Sequence, residues 1–216
     1  MAFKYRLKFA KLGLVKFVGH LDLLKALERA VMRGRVPVAF SHGFNRHQLI
    51  TIAQPLPLGM ESVGEYADIE LARQITPEEL AERLNAAMPS GLRALAARQL
   101  APGEKNAAAA TAAAEYEIMF EDFSGLQERV NELLAAEQVI VQKKSKRQER
   151  QADIRPDIFK IEVLDARRLR ALLAAGSSGN LSPRVLAEAL ARENDWSARY
   201  RRLEMFGKRG GGFEAL

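Results

Sequence analysis

Apolar and polar residues alternate at the start of the chain. Over residues 3–9, aromatic or aliphatic side chains occupy the odd positions and basic side chains the even ones. This period of two is typical of a half-buried strand and predicts one over Phe3–Lys11. The basic side chains would then form a row on one face of a sheet; they are Lys4, Arg6 and Lys8.

Further elements follow as far as residue 100. Leucines at helical spacing and a Thr-Pro-Glu-Glu start predict two helices, and short apolar runs between turn residues predict extended segments. In chain order these are a helix over His20–Gly34, extended pieces over Val36–Ser41 and Gln48–Gln54, a strand over Gly64–Leu71, a helix from Pro77 to about Met88, and a strand over Leu92–Leu100. The order is β-α-β-β-α-β, which is that of a ferredoxin-like domain.

An alanine-rich stretch separates these elements from a second set. Residues 101–113 have the composition of a linker. The second set comprises strands over Glu115–Glu121, Gln138–Lys143, Asp153–Leu164 and Tyr200–Phe206, and helices over Gly125–Ala136 and Pro183–Glu193. The composition of Arg167–Ala175 favours a helix, whereas the topology favours a strand, and both interpretations stay open.

The predicted fold class is therefore α+β, with two tandem ferredoxin-like (βαββαβ) domains joined by an Ala-rich linker. The N-terminal domain would span residues 1–100 and the linker 101–113. The C-terminal domain would span residues 114–207, followed by a loose tail over 208–216.

The amino-acid composition excludes several kinds of metal and catalytic site. The 216 residues contain no Cys, which excludes thiolate zinc sites, Cys-held iron–sulfur clusters and a cysteine nucleophile in this chain. The net charge of +6 is unevenly spread: residues 1–60 carry +8, residues 61–142 carry −9 and residues 143–216 carry +7. Two basic ends around an acidic middle favour an anionic partner, although separate solvated surfaces would give the same sums.

Hydropathy and the N-terminal sequence indicate in which compartment of the cell the protein is expected. No run of about 18 apolar residues occurs, so no transmembrane helix is expected. The polar and apolar alternation begins within four residues of Met1, which is unlike a signal peptide. We therefore expect a cytoplasmic protein.

The three histidines lie within residues 20–47 and carry the candidate chemistry. His20 begins the first predicted helix, and His42 and His47 lie in the loop Ser41-His42-Gly43-Phe44-Asn45-Arg46-His47. A helix N-terminus beside a loop of this composition can contact phosphates or bases, and an exposed aromatic ring can stack on a base. The predicted nucleic-acid contacts are Lys4, Arg6, Lys8, Lys16, His20, Phe44, Asn45, Arg46 and His47, with Lys143, Lys144, Lys146 and Arg147 from a second basic segment.

Other interpretations of these residues remain open. His20 could cap its helix, Asn45 could hold the turn and Phe44 could be core. The histidines and Asp22 could bind a metal, but no close His pair supports this, and no metal site or bound cofactor is predicted. His20 or His47 could act as general acid or base in a metal-independent endoribonuclease.

Several segments of the chain resemble one known family, the radical SAM-linked proteins, which is defined by a domain of unknown function. The segments are Lys4–Phe9, Gly19–Leu23, Ala26–Ala30, Ser41–His47, Leu56–Ser62, Asp153–Pro156 and Gly179–Pro183. His20, Asp22, Phe44, Asn45 and His47 fit the family pattern. That pattern has Gln, Pro and Arg where this chain has His42, Arg46 and Ser182.

The resemblance implies a partner and a substrate class. Such proteins occur beside or fused to a cobalamin-binding radical SAM protein, and their gene neighbourhoods point to RNA. The leading hypothesis is a non-catalytic accessory protein that binds tRNA or rRNA and presents it to that partner. The alternatives are the endoribonuclease that uses His20 or His47, and a protein–protein scaffold that binds no nucleic acid.

Overall fold

The chain is built from eleven strands and five α-helices in the part that the computed structural model describes, which is residues 3–121, 123–144, 149–191 and 196–216, with backbone only at 143–144 and 149–150. The strands are β1 (Phe3–Lys11), β2 (Ile50–Ile52), β3 (Glu61–Leu71), β4 (Leu92–Gln99), β5 (Thr111–Phe120), β6 (Ile140–Lys144), β7 (Glu149–Asp153), β8 (Ile158–Val163), β9 (Arg168–Ala174), β10 (Ala198–Arg209) and β11 (Gly212–Ala215). The helices are α1 (His20–Arg33), α2 (Pro77–Ala87), α3 (Ala107–Ala110), α4 (Leu126–Ala135) and α5 (Pro183–Ala191). None of these helices is long and apolar enough to cross a membrane.

Nine of these strands form one sheet that runs through both halves of the chain. Its order is β4-β1-β3-β10-β5-β9-β8, with β2 also paired to β3 and β11 to β10. Neighbouring strands are antiparallel except β3 and β10, whose short parallel pairing places Arg201 beside Glu61 and Arg202 beside Ser62. Strands β6 and β7 form a separate hairpin. The fold is therefore mixed α/β around a large, mostly antiparallel sheet.

The prediction of two tandem ferredoxin-like domains is not confirmed, because the two halves share this sheet. The earlier strands follow the spatial order β4-β1-β3-β2, and the later ones follow β10-β5-β9-β8. The β-α-β-β-α-β sequence therefore recurs, with the β6–β7 hairpin inserted in its second copy, inside a sheet larger than either predicted domain. The boundaries near residues 100 and 114 stay predictions.

Local sequence explains the elements of the first half. The odd residues Tyr5, Leu7 and Phe9 of β1 are fully buried, as the period of two predicts. In α2, the Thr76 hydroxyl accepts a hydrogen bond from the Glu79 backbone N–H at 3.1 Å, which confirms the predicted helix start. The apolar faces of α1 and α2 pack against this half of the sheet and form one core cluster, while a second cluster lies beneath α4 and α5.

Two segments expected to be loose are instead part of the packed structure. The predicted linker contains α3 and the first residues of β5, and Ala107, Thr111 and Ala113 are buried there. Small side chains let these backbones approach their neighbours closely, so a low apolar volume does not mean exposure. The predicted tail forms a hairpin between the end of β10 and β11, with Phe206 paired to Ala215.

Three predicted extended segments also differ in detail. Val36–Ser41 forms only isolated bridges, at Val38 and Phe40, instead of a strand. Asp153–Leu164 is interrupted by a 3₁₀ helix at Arg155–Asp157, which contains Pro156, a residue that cannot donate to a strand ladder. The open question over Arg167–Ala175 is settled as strand β9.

A buried ion pair lies where β3 meets β10. The Arg202 Nη1 atom donates to Glu65 Oε1 at 2.9 Å, and the two side chains are 4% and 0% exposed. Arg202 also donates to the Tyr116 hydroxyl at 3.3 Å and to the Pro55 carbonyl at 3.2 Å. Burial lowers the pKa of Arg202, but the attraction of Glu65 and Tyr116 outweighs it and raises the pKa. Arg202 therefore stays charged, and its contacts join segments from both halves.

We expect Arg202→Met to lower the free energy of unfolding by about 3–5 kcal/mol, because it leaves the Glu65 carboxylate buried without a counter-ion. Urea denaturation measures this change. Arg199→Met, which removes an exposed guanidinium from the same strand, is the matched control and should change stability by less than about 0.5 kcal/mol. Adding Glu65→Leu to Arg202→Met removes the unpaired carboxylate and should recover part of the lost stability. An Arg202→Met variant as stable as the Arg199→Met control would show that the buried ion pair does not stabilise the fold.

Candidate nucleic-acid interface

The loop Ser41–His47 projects from the sheet and exposes its tip. Its base is closed by the Ser41 backbone N–H, which donates to the His47 carbonyl at 2.8 Å, and by the His47 backbone N–H, which donates to the Ser41 hydroxyl at 3.1 Å. Between them, Phe44 is fully exposed, and His42, Asn45 and Arg46 are also exposed. The loop therefore holds an aromatic ring away from the core on a closed turn.

An arginine and a second aromatic ring lie at the side of this loop. The Arg46 guanidinium carbon is 5.9 Å from the centre of the Phe40 ring, and Phe40 is itself 38% exposed. A cation at this distance is attracted by the ring face. The loop thus combines exposed rings with positive charge, which are the groups that stack on bases and contact phosphates.

The His20 region lies at the opposite end of β1 from this loop. Lys11 Nζ donates to the Val18 carbonyl at 2.7 Å, so His20 follows the end of β1, whereas His47 shares a pocket with Lys4 at its start. The seven residue steps from Lys4 to Lys11 correspond to roughly 23 Å of strand. The structure therefore does not bring His20 and His47 together as an acid–base pair.

The two histidines also differ in their surroundings. The Nδ1 atom of His20 is buried without a hydrogen-bond partner among the described residues, whereas His47 Nδ1 lies 3.0 Å from the Ser41 hydroxyl oxygen. No group of three or more His, Asp or Glu side chains in the described ranges could hold a metal ion. Lys16, predicted as a phosphate contact, lies near His20, with its Nζ 5.3 Å from the exposed Phe17 ring.

The predicted basic row of β1 does lie on one face, but its charges are neutralised within the chain. Lys4 pairs with Glu70 at 3.2 Å and Lys8 with Glu204 at 2.5 Å. Arg6, only 3% exposed, forms a two-point pair with Asp68 at 2.9 and 3.2 Å. This row therefore has structural partners and only Lys4 is largely exposed.

Asp68 connects this row to the segment that was predicted to be a linker. One of its carboxylate oxygens also accepts the Ala107 backbone N–H at 2.7 Å, and Arg6 Nη2 donates to the Lys105 carbonyl at 2.8 Å. The pair thus fixes α3 over β1 and β3. Glu104 continues the network because Arg98 donates to both of its carboxylate oxygens, which lowers the Glu104 pKa.

Sequence reasoning missed a group of arginines on the later strands. Arg170 and Arg201 flank Glu117 on the two neighbouring strands, and Arg168 Nη1 lies 3.7 Å from the same carboxylate. The Nε atoms of Arg170 and Arg201 are buried without partners among the described residues. Arginines two positions apart near the start of each strand, at 168 and 170 and at 199 and 201, were the sequence signal that could have found them.

The second predicted basic segment, residues 143–147, lies mostly outside the residues that the structure describes. Lys146 and Arg147 lie outside the described residues, and for Lys143 and Lys144 only the backbone, the end of β6, is described. Their contacts with nucleic acid stay predictions.

Comparison with known proteins yields one family match. The family model described as "Uncharacterized protein conserved in bacteria (DUF2344)" matches residues 4–183. None of the curated proteins matches the chain. Among solved structures, the chain is similar to an unknown protein from Galdieria sulphuraria, with 14% identity over 94% of this chain and 99% of that chain and a TM-score of 0.28.

We expect Asp68→Asn to lower the free energy of unfolding by about 3 kcal/mol, because the buried Arg6 guanidinium loses its two-point partner and keeps only the Glu104 carboxylate at 3.7 Å. The matched control is Glu70→Gln on the same face of β3. It weakens only the partly exposed Lys4 pair and should cost less than about 1 kcal/mol. Urea denaturation of both variants measures the difference, and equal losses would show that the network on β1 is not structural.

Proposed function

Given that this chain belongs to the bacterial DUF2344 family, we propose that it is a non-catalytic RNA-binding protein whose loop Ser41–His47 contacts single-stranded bases. In this proposal the protein presents tRNA or rRNA to a cobalamin-binding radical SAM enzyme. The partner is suggested only by the sequence resemblance. The absence of Cys means that a radical SAM cluster would have to be held by another chain.

The observation that carries the RNA-binding proposal is the exposure of Phe44. Burying a Phe side chain is worth about 1.5–3 kcal/mol, and this ring gains none of it in the chain alone. Stacking of a base on an aromatic ring contributes about 1–3 kcal/mol and depends little on the base, because every base has a flat face. The tip of the loop therefore offers the contact that a flexible single strand uses.

The charges around the ring support the same proposal. Arg46, His42 and His47 surround Phe44 in sequence, and in the described residues Arg46 has no carboxylate partner. Basic residues beside a stacking platform guide the phosphate backbone, and their contribution weakens as salt increases. The network on β1 does not contribute in this way, because its carboxylates already neutralise Arg6 and Lys8.

We expect Phe44→Ala to weaken binding of a fluorescent octauridylate by about 5- to 100-fold, because the stacking surface is lost. Fluorescence anisotropy at 50 and 200 mM salt measures the dissociation constants. Phe44→Tyr, which keeps an aromatic ring, should bind within about twofold of the wild type.

Two outcomes would reject the proposal. One is octauridylate binding that is unchanged between the two salt concentrations or absent altogether. The other is equal affinity of the wild type and Phe44→Ala. Phe159→Ala, which removes a partly exposed Phe on β8, controls for a general effect of deleting an aromatic side chain.

A second candidate function is protein–protein scaffolding, which is favoured by an exposed apolar patch near His20. Leu14 and Phe17 on the 3₁₀ helix at Gly13–Phe17, and Leu21 in the first turn of α1, are 86%, 61% and 70% exposed. Leu58 is also exposed, and the adjoining Gly59 backbone N–H donates to the Lys16 carbonyl at 3.0 Å. Exposed apolar clusters of this kind mark interaction surfaces.

For the scaffold, we expect Leu14→Ser with Phe17→Ser to abolish co-purification with a cobalamin-binding radical SAM protein, because the apolar contact surface is removed. Co-expression followed by affinity capture after RNase treatment measures this. Phe44→Ala serves as the matched control and should leave capture unchanged. Capture that survives the double substitution would remove this patch as the docking surface.

A further inference from the structure

A pocket of about 560 Å³ opens on the sheet between β1, β4, the 104–105 segment and the β10–β11 hairpin. Its volume lies within the usual range for small-molecule sites. Five basic residues belong to its lining, and they are Arg6, Arg98, Lys105, Lys208 and Arg209. The acidic residues in the lining are Glu104 and Glu214. Positive charge therefore exceeds negative charge around this pocket.

The basic side chains differ in how far they are already neutralised. Arg98 pairs with Glu104 at 2.5 Å, and Arg209 pairs with Glu214 at 2.7 Å. Lys105 and Lys208 form no ion pair with the described residues, and both are exposed. Two lysines without a carboxylate partner thus belong to the lining of a cavity whose three arginines, Arg6 included, are each paired with a carboxylate.

The turn that closes the hairpin adds a second feature. Lys208 and Arg209 lead directly into Gly210, Gly211 and Gly212. Gly210 and Gly211 have φ angles of 55° and 86°, which side-chain-bearing residues rarely adopt, and no other group lies within 4 Å of where their Cβ atoms would be. These glycines are not among the residues that line the pocket, but they directly follow Lys208 and Arg209, and a glycine turn leaves backbone N–H groups accessible to a charged oxygen.

We propose that this pocket binds a phosphate monoester, either at the end of an RNA or on a free nucleotide. A monoester carries up to two negative charges, whereas an internal phosphodiester carries one, so a concentration of unpaired cations favours the monoester. Guanidinium and ammonium groups are the usual protein ligands of such oxygens.

The site is separate from the loop that contacts bases. The two regions are connected through Glu104, which lines both this pocket and the neighbouring pocket that contains Lys4 and His47. An RNA end could therefore occupy the phosphate site while an adjoining base reaches Phe44. The phosphate site does not depend on that stacking, because a free nucleotide would use the same groups.

Octauridylates with a 5′-phosphate, a 3′-phosphate or no terminal phosphate test the proposal with the full chain. We expect one phosphorylated form to bind about tenfold more tightly than the unphosphorylated form by fluorescence anisotropy. Uridine 5′-monophosphate, titrated as a competitor and by calorimetry, tests the free nucleotide as the source. Competition by the mononucleotide at concentrations like those of the phosphorylated RNA would identify a free nucleotide as a sufficient ligand.

Variants locate the site. Lys105→Ala with Lys208→Ala should remove the gain from the terminal phosphate, and Glu104→Gln should increase it because Arg98 is released from its carboxylate. Lys25→Ala with Arg29→Ala removes the same charge from the exposed face of α1 and should retain the gain.

The proposal would be overturned if terminal phosphate had no effect and the mononucleotide did not bind, or if the Lys105 and Lys208 double variant kept the full gain. Phe44→Ala separates this result from the RNA-binding proposal, since it should weaken all three RNAs equally and leave mononucleotide binding unchanged. Mononucleotide binding without any RNA binding would support the phosphate site and reject the proposed function.

Discussion

The buried pair between Glu65 and Arg202 is the interaction on which the architecture depends. A carboxylate that is fully removed from water is stable as an ion only beside a counter-charge, and here that charge comes from a strand about 140 residues later in the chain. The Tyr116 hydroxyl and the Pro55 carbonyl accept further hydrogen bonds from the guanidinium. Lys11 is buried nearby, and burial lowers its pKa. The two halves are therefore joined by charges that neither half could bury alone.

The same principle determines which charges remain for binding. Along β1, the face opposite the core would be a basic stripe if its partners were absent. Asp68 and Glu204 neutralise that stripe and use it to hold α3 and β10 in place. Among the described residues, the cations left without a carboxylate partner include Arg46 in the loop Ser41–His47 and Lys208 close to the glycine turn of the β10–β11 hairpin. The basic residues that hold the fold together are thus different from those that remain available for binding.

Sequence periodicity predicted those parts of the fold that local physics determines. The burial alternation of β1 and the Thr76 cap of α2 follow from neighbouring residues, so the pattern was sufficient. The pairing of β3 with β10 is not encoded in either strand's own pattern, which is why two separate domains were expected. The alanine-rich stretch 101–113 has the composition of a linker because small side chains are weakly apolar, although Ala107 and Ala113 are buried. The separation of His20 from His47 likewise became visible only once the topology was known.

The parallel contact between Glu61 and Arg201 has a consequence for how the chain is made. During synthesis the edge of β3 beside Gly64 has no partner until β10 has emerged, because the strand that covers it comes almost last. When β10 arrives, the Leu203 carbonyl lies only 2.5 Å from where a Cβ on Gly64 would be, so the crossing leaves no room for a side chain there. Contacts between residues this far apart are slow to form and leave an open sheet edge exposed in the meantime. The first half of the chain therefore carries an unpaired strand edge until synthesis is almost finished.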